Sequence, residues 1–212
     1  MPKYTYKSET LESGIRVDVI ADTDASNPAH DWDMVGQLVL NDKCRYDFGH
    51  ETASREELAE ITDNPNNIVL PVYMYDHSGI TIRTSPFSCH WDSGQVGVIY
   101  CSREKAIREF GKKILTKKAR EDVIRCMVGE IESIDNYLTG NVWGFEVYDA
   151  ADDLLDSCYG FNGDPEYCLE EGMSSARYYD VQIKEDRRQT WRKALREARE
   201  RHYWASRDVA TL

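Results

Sequence analysis

Between Lys117 and Leu138 the residues Val123, Met127, Ile131, Ile134 and Leu138 recur at steps of four, four, three and four. A helix places residues three and four apart on one face, so this spacing draws a single apolar stripe along an amphipathic helix. Thr116 stands where an N-cap belongs, and Thr139-Gly140 where such a helix stops. A second helix opens at a capping box, Ser54-Arg55-Glu56-Glu57, runs to about Ile61, and ends at Asp63-Asn64-Pro65-Asn66-Asn67. A third, short one runs from a Ser102 cap to Phe110, stopped by Gly111.

The segments between these helices read as strands. Lys3–Lys7 alternates like an edge strand, and Ile15–Ile20 alternates apolar and polar as a half-buried strand does. Met34–Leu40 and Gln95–Cys101 follow the same reading. Ile68–Tyr75 is strongly apolar but contains Pro71, which has no N–H for a ladder and so predicts an edge or a bulge. His77-Ser78-Gly79 turns that strand back into Ile80–Thr84, and Val142–Tyr148 with Leu154–Tyr159 forms a second hairpin. Pro165–Glu171 reads as a short helix and Lys184 to about Trp204 as a final one, with Trp191, Leu195 and Ala198 on one stripe and a soft break near Ser174–Asp180. Hairpins and separated helices, rather than alternating βαβ units, predict an α+β fold: mainly an antiparallel sheet of hairpins with one long amphipathic helix and a C-terminal helix. The expected organisation is one compact domain over 1–180 and a basic amphipathic helix over 181–212 packed on it.

Charge narrows the function classes. The 212 residues carry a net charge of −12. From Lys184 onward nine Lys or Arg face five Asp or Glu, a net of +4, which leaves −16 on the residues before it. Such an acidic body repels phosphates, so direct nucleic-acid binding by the body is not expected. The C-terminal run of Arg187, Arg188, Arg192, Lys193, Arg196, Arg199 and Arg201 could meet RNA or an acidic partner, but intrahelical pairing such as Glu197 with Arg201 is the simpler reading. The six cysteines, Cys44, Cys89, Cys101, Cys126, Cys158 and Cys168, show no CxxC spacing. No signal peptide or membrane span is evident, so free thiols in a reducing cytoplasm are expected, with no cofactor and no zinc site. Nucleotide-binding, zincin and α/β-hydrolase motifs are absent from the sequence.

Residues 73–97 concentrate polar and thiol chemistry: YMYDHSGITIRTSPFSCHWDSGQVG. A nucleophile needs a base beside it and the base needs an orienting group. Cys89 with His77 or His90, oriented by Asp76 or Asp92, meets that requirement on paper. Ser78, Trp91, Asp92 and Ser93 are the candidate binding residues around it. The bland alternative is a pair of turns with a buried thiol and a tryptophan plugging the core. A second cluster, Asp22, Asp24, Ser26 and Asp33, falls at positions 1, 3, 5 and 12 of a calcium loop but has Asn27 where Gly is required, so no metal is expected.

LPVYMYDHSGITIRTSPFSCHWDSGQVGVIYCSREK, followed by DNYLTGNVWGFEVYD and LLDSCYGFNG, resembles a family of small acidic proteins encoded by bacteriophages and other bacterial mobile elements. The resemblance covers about residues 32–163 and brings no assigned catalytic residue to carry over. It implies a context: a phage-type accessory protein in the bacterial cytoplasm that binds and modulates or inhibits a host or defence protein. A nuclease complex is one such partner, with the acidic surface acting as a nucleic-acid mimic of the anti-restriction or anti-CRISPR kind. The alternative is a small Cys/His-dependent hydrolase acting on a nucleotide signal or a protein.

Overall fold

The computed structural model describes residues 4–89 and 91–208. Lys3, His90 and residues 209–212, all part of the expectations above, lie outside them. In chain order the elements are β1 (Thr5–Thr10), β2 (Arg16–Ala21), α1 (Pro28–Asp31), β3 (Gln37–Asn41), β4 (Glu51–Ala53), α2 (Arg55–Asp63), β5 (Asn67–Asp76), β6 (Ile80–Arg83), β7 (Ser93–Ser102), α3 (Arg103–Glu109), α4 (Lys117–Thr139), β8 (Val142–Tyr148), β9 (Leu154–Asn162) and α5 (Pro165–Asp208). The fold is mixed α+β with mostly antiparallel sheets and a long C-terminal helix, as the sequence predicts. The chain divides into two compact units: residues 21–143 with 159–164, and residues up to 20 with 144–158 and those from 165 onward.

The larger unit is built on a five-stranded sheet of order β4-β3-β7-β5-β6, in which only the β3–β4 pair is parallel. The stripe read from the sequence lies on α4, where Val123, Met127, Ile131 and Ile134 are buried with Leu38, Leu40, Ile68, Val72, Ile82 and Ile99 from the strands. Thr116 caps α4 by accepting from the Ala119 N–H, and Gly140, with φ of 73°, ends it in the left-handed conformation. The capping box of α2 is fully formed.

Pro71 sits on a strand that is not an edge. β5 lies between β7 and β6, but β6 pairs only with Tyr73–Asp76, so the half of β5 holding Pro71 has β7 alone as neighbour. The register also slips between Val72 and Tyr73, the bulge that the proline predicts.

The smaller unit places α5 against the four-stranded sheet β1-β2-β8-β9. Cys168, Leu169 and Ala176 are buried on the helix, as are Val17, Val19, Phe145 and Val147 on the strands. Gly172 permits this approach, since a Cβ there would stand 2.7 Å from Val17 Cγ1 and 3.0 Å from the Phe145 ring. The two C-terminal helices expected from the sequence are one, unbroken from Pro165 to Asp208. From Lys184 to Tyr203 every residue except Glu185 and Leu195 is exposed.

Two predictions follow from the larger unit. Gly97 faces Leu40 across the β3–β7 ladder, and a Cβ on it would lie 2.2 Å from the Val39 carbonyl oxygen, a backbone atom that cannot swing aside. Gly97→Ala is expected to cost about 1–3 kcal/mol by thermal or urea unfolding, as overpacking does. His50 Nδ1 accepts the Leu38 N–H at 3.0 Å, and burial, followed by the charges of Lys105 and His30, holds its pKa below 6.5. Its share of stability is therefore complete above the ordinary imidazole value and is lost as pH falls through the lowered one. His50→Asn keeps an acceptor for Leu38 and removes the titration, so the fall in Tm from pH 7 to pH 5 should flatten.

Candidate functional site

The segment singled out in the sequence forms the β5–β6 hairpin and the loop that leads into β7. Ser78 turns the hairpin with φ of 60°, in the left-handed region that a serine enters only at some cost, and the His77 N–H donates to the Gly79 carbonyl at 3.1 Å. Residues 84–89 are folded back by local contacts. Arg83 Nε donates to the Ser85 carbonyl at 3.0 Å, and its guanidinium lies 3.9 Å from the centre of the Phe87 ring. Phe87 in turn packs on Tyr75, with 5.7 Å between ring centres. Ser93 Oγ donates to the Cys89 carbonyl, and the Asp76 N–H to the Asp92 carbonyl at 2.8 Å, which joins the loop's end to the end of β5.

These contacts bring His77, Cys89 and Asp92 together. Asp92 Oδ2 lies 3.5 Å from His77 Nδ1 and accepts from Cys89 Sγ at 3.9 Å. The order is thiol, carboxylate, imidazole. A nucleophilic thiol needs the base next to the sulfur, and here a carboxylate oxygen holds that place. Asp92, not Asp76, is the acid beside His77.

Asp76 has other partners. Tyr46 donates its hydroxyl at 2.9 Å and Arg45 forms an ion pair with the same oxygen. The Tyr46 hydroxyl first, then the Arg45 guanidinium, holds the Asp76 carboxyl below the usual aspartate range. Neither Arg45 nor Tyr46 was predicted for the site, as they reach it from the loop after β3, about thirty residues upstream. Trp91 is not a core plug: it is 95% exposed.

Three of the other thiols are held in their protonated form. Burial raises the Cys101 and Cys126 thiols above their ordinary value, and burial followed by nearby Cys158 pushes Cys168 to about 12. The acidic loop after β2 is tied to the backbone rather than opened toward an ion. Asp22 Oδ1 accepts the Asp24 N–H and Asp22 Oδ2 the Gly160 N–H, both at 3.1 Å. A strand, β2, precedes this loop where a calcium loop would have a helix. No metal-holding group of three or more His, Cys, Asp or Glu occurs among the described residues.

No family model, curated protein or solved structure matches the chain. No helix among the described residues is long and apolar enough to cross a membrane.

The Asp76 contacts carry a pH dependence. A carboxyl held below its ordinary value contributes stability above that value and loses it as pH falls through the lowered one. Tyr46→Phe removes the first cause of the shift, so its acid unfolding below pH 4 should be shallower than the parent's and its Tm at pH 7 lower.

Proposed function

We propose that this chain is a binding protein of the phage accessory type, which modulates or inhibits a host or defence protein in the bacterial cytoplasm through the surface of the 84–92 loop. The observation that carries this reading is Trp91, 95% exposed, next to residues held by local hydrogen bonds of Arg83 to Ser85 and Ser93 to Cys89. Tryptophan is among the residue types that most often dominate the energy of a protein interface. Asp92, its neighbour in the chain, and His77, which contacts Asp92, have side chains 42% and 64% exposed and supply polar groups.

The net charge of −12 supports a partner with a basic face, of which a nuclease channel is one kind. The hydrolase alternative draws its support from the meeting of Cys89 and His77 at Asp92. The interposed carboxylate weighs against it.

Affinity capture from host lysate with the parent chain and Trp91→Ala, each in low and high salt, separates the readings. One stoichiometric protein lost with Trp91→Ala is the expected result, and its loss in high salt would assign the contact to charge. Capture that Trp91→Ala leaves unchanged would remove this loop from the interface. A hydrolytic activity abolished by Cys89→Ala would favour the enzyme reading.

A further inference from the structure

α2 faces the larger sheet without sealing against it. Arg55, Leu58, Ala59, Thr62 and Asp63 fall at i, i+3, i+4, i+7 and i+8, on one side of the helix, and that side borders a cleft of about 360 Å³. The facing wall is residues 95–98 of β7, with Asn41 from the end of β3. Helices in proteins draw most of their stability from packing one face, yet no residue of α2 is buried. The cleft has the volume of a small-ligand site.

The two charges on the helical wall are set against the helix itself. A helix N-terminus favours anions and its C-terminus cations. Arg55 is the first residue of α2 and Asp63 the last, the reverse of that order, although Glu56 and Glu57 after Arg55 follow it. Neither the Arg55 nor the Asp63 side chain makes a hydrogen bond or ion pair with another described residue. Natural chains break such local rules mostly at functional sites. Between the two charges, Leu58, Val96 and Val98 give the cleft an apolar surface. Two amides border it with half of their groups open. Asn41 Oδ1 accepts the Lys43 N–H at 2.9 Å, which leaves its Nδ2 to donate, and Gln95 Nε2 donates to the Gly97 carbonyl at 3.3 Å, which leaves its Oε1 to accept.

A ligand that satisfies both ends carries a carboxylate and an ammonium far apart. From Arg55 to Asp63 the helix rises about 12 Å. A free amino acid holds both charges on one carbon and cannot reach both ends. An extended chain covers about 3.3–3.6 Å per residue, so roughly three residues cover most of the span and the two side chains close the rest. The side groups of such a chain meet the apolar wall, and its peptide bonds meet the open amide groups of Asn41 and Gln95. We infer that this cleft binds a short extended peptide by its two free ends, the carboxylate at Arg55 and the ammonium at Asp63.

Titration calorimetry on the full chain tests this with tri-alanine, its N-acetyl form, its C-amide form and free alanine. Tri-alanine should bind with one site per chain, and alanine should not bind. Each blocked form should bind at least about tenfold more weakly, as loss of one charge-assisted contact requires. Asp63→Asn should bind the acetylated and free peptides alike, and Arg55→Gln the amidated and free peptides alike. Ala59→Phe, at an exposed position, should fill the cleft and abolish binding. Because both charges oppose the helix dipole, neither Arg55→Gln nor Asp63→Asn should lower the Tm. A fall in Tm with either would assign that charge to stability and overturn the inference. So would tri-alanine that does not bind at millimolar concentration, or free and blocked peptides that bind equally. Discrimination between free and blocked ends that survives both substitutions would place the peptide elsewhere and also overturn it.

Discussion

Two carboxylates on one helix hold the larger unit in register. Glu130 accepts the Val35 N–H at 2.5 Å and the Gly36 N–H at 2.8 Å, at the entrance to β3. Asp135, five residues on, accepts the Thr81 hydroxyl and the Ile82 N–H, both at 2.7 Å, on β6. The apolar stripe of α4 supplies the area that drives burial, but area has no direction. The carboxylates supply the direction, because a charge-assisted bond to a backbone N–H fixes both partners. Burial pushes the Glu130 carboxyl above its ordinary value, with the two N–H groups acting against that rise. Taking a charge out of water is thus accepted to pin the strand that lies next to the central one. Asp135 has a longer reach: it holds β6, and β6 forms the hairpin whose turn carries His77.

What was readable in the sequence was what is local. α4 and α2 were legible from apolar spacing and caps, since both depend on residues within a few positions of each other. β4 was not, because three residues show no period, and its parallel pairing with β3 is set by the chain between them. Pro71 gave the bulge correctly and the edge only in part, since whether a strand is flanked depends on how far its neighbour extends. The continuity of α5 was hidden by its thin apolar content near Ser174–Asp180. No proline follows Pro165, and the one glycine, Gly172, serves close packing rather than a break.

At the site the same division holds. That a hairpin could bring the Asp76-His77-Ser78 turn close to the loop after it was legible in the sequence. Which group would stand between thiol and imidazole was not, because it turns on differences of an ångström or two. Arg45 and Tyr46 carried no motif that could mark them. The outcome is a carboxylate between thiol and imidazole, with an exposed Trp91 next to it in the chain, in place of an aligned nucleophile and base. An acidic body and a basic arm on one chain add a second surface with different chemistry.

The most direct test of the binding reading is a photo-crosslinking residue placed at position 91 and, as control, at exposed Glu60 on α2. Irradiation in host cells should join position 91 to one protein that position 60 does not capture. No adduct at 91, or the same adducts at both positions, would contradict it.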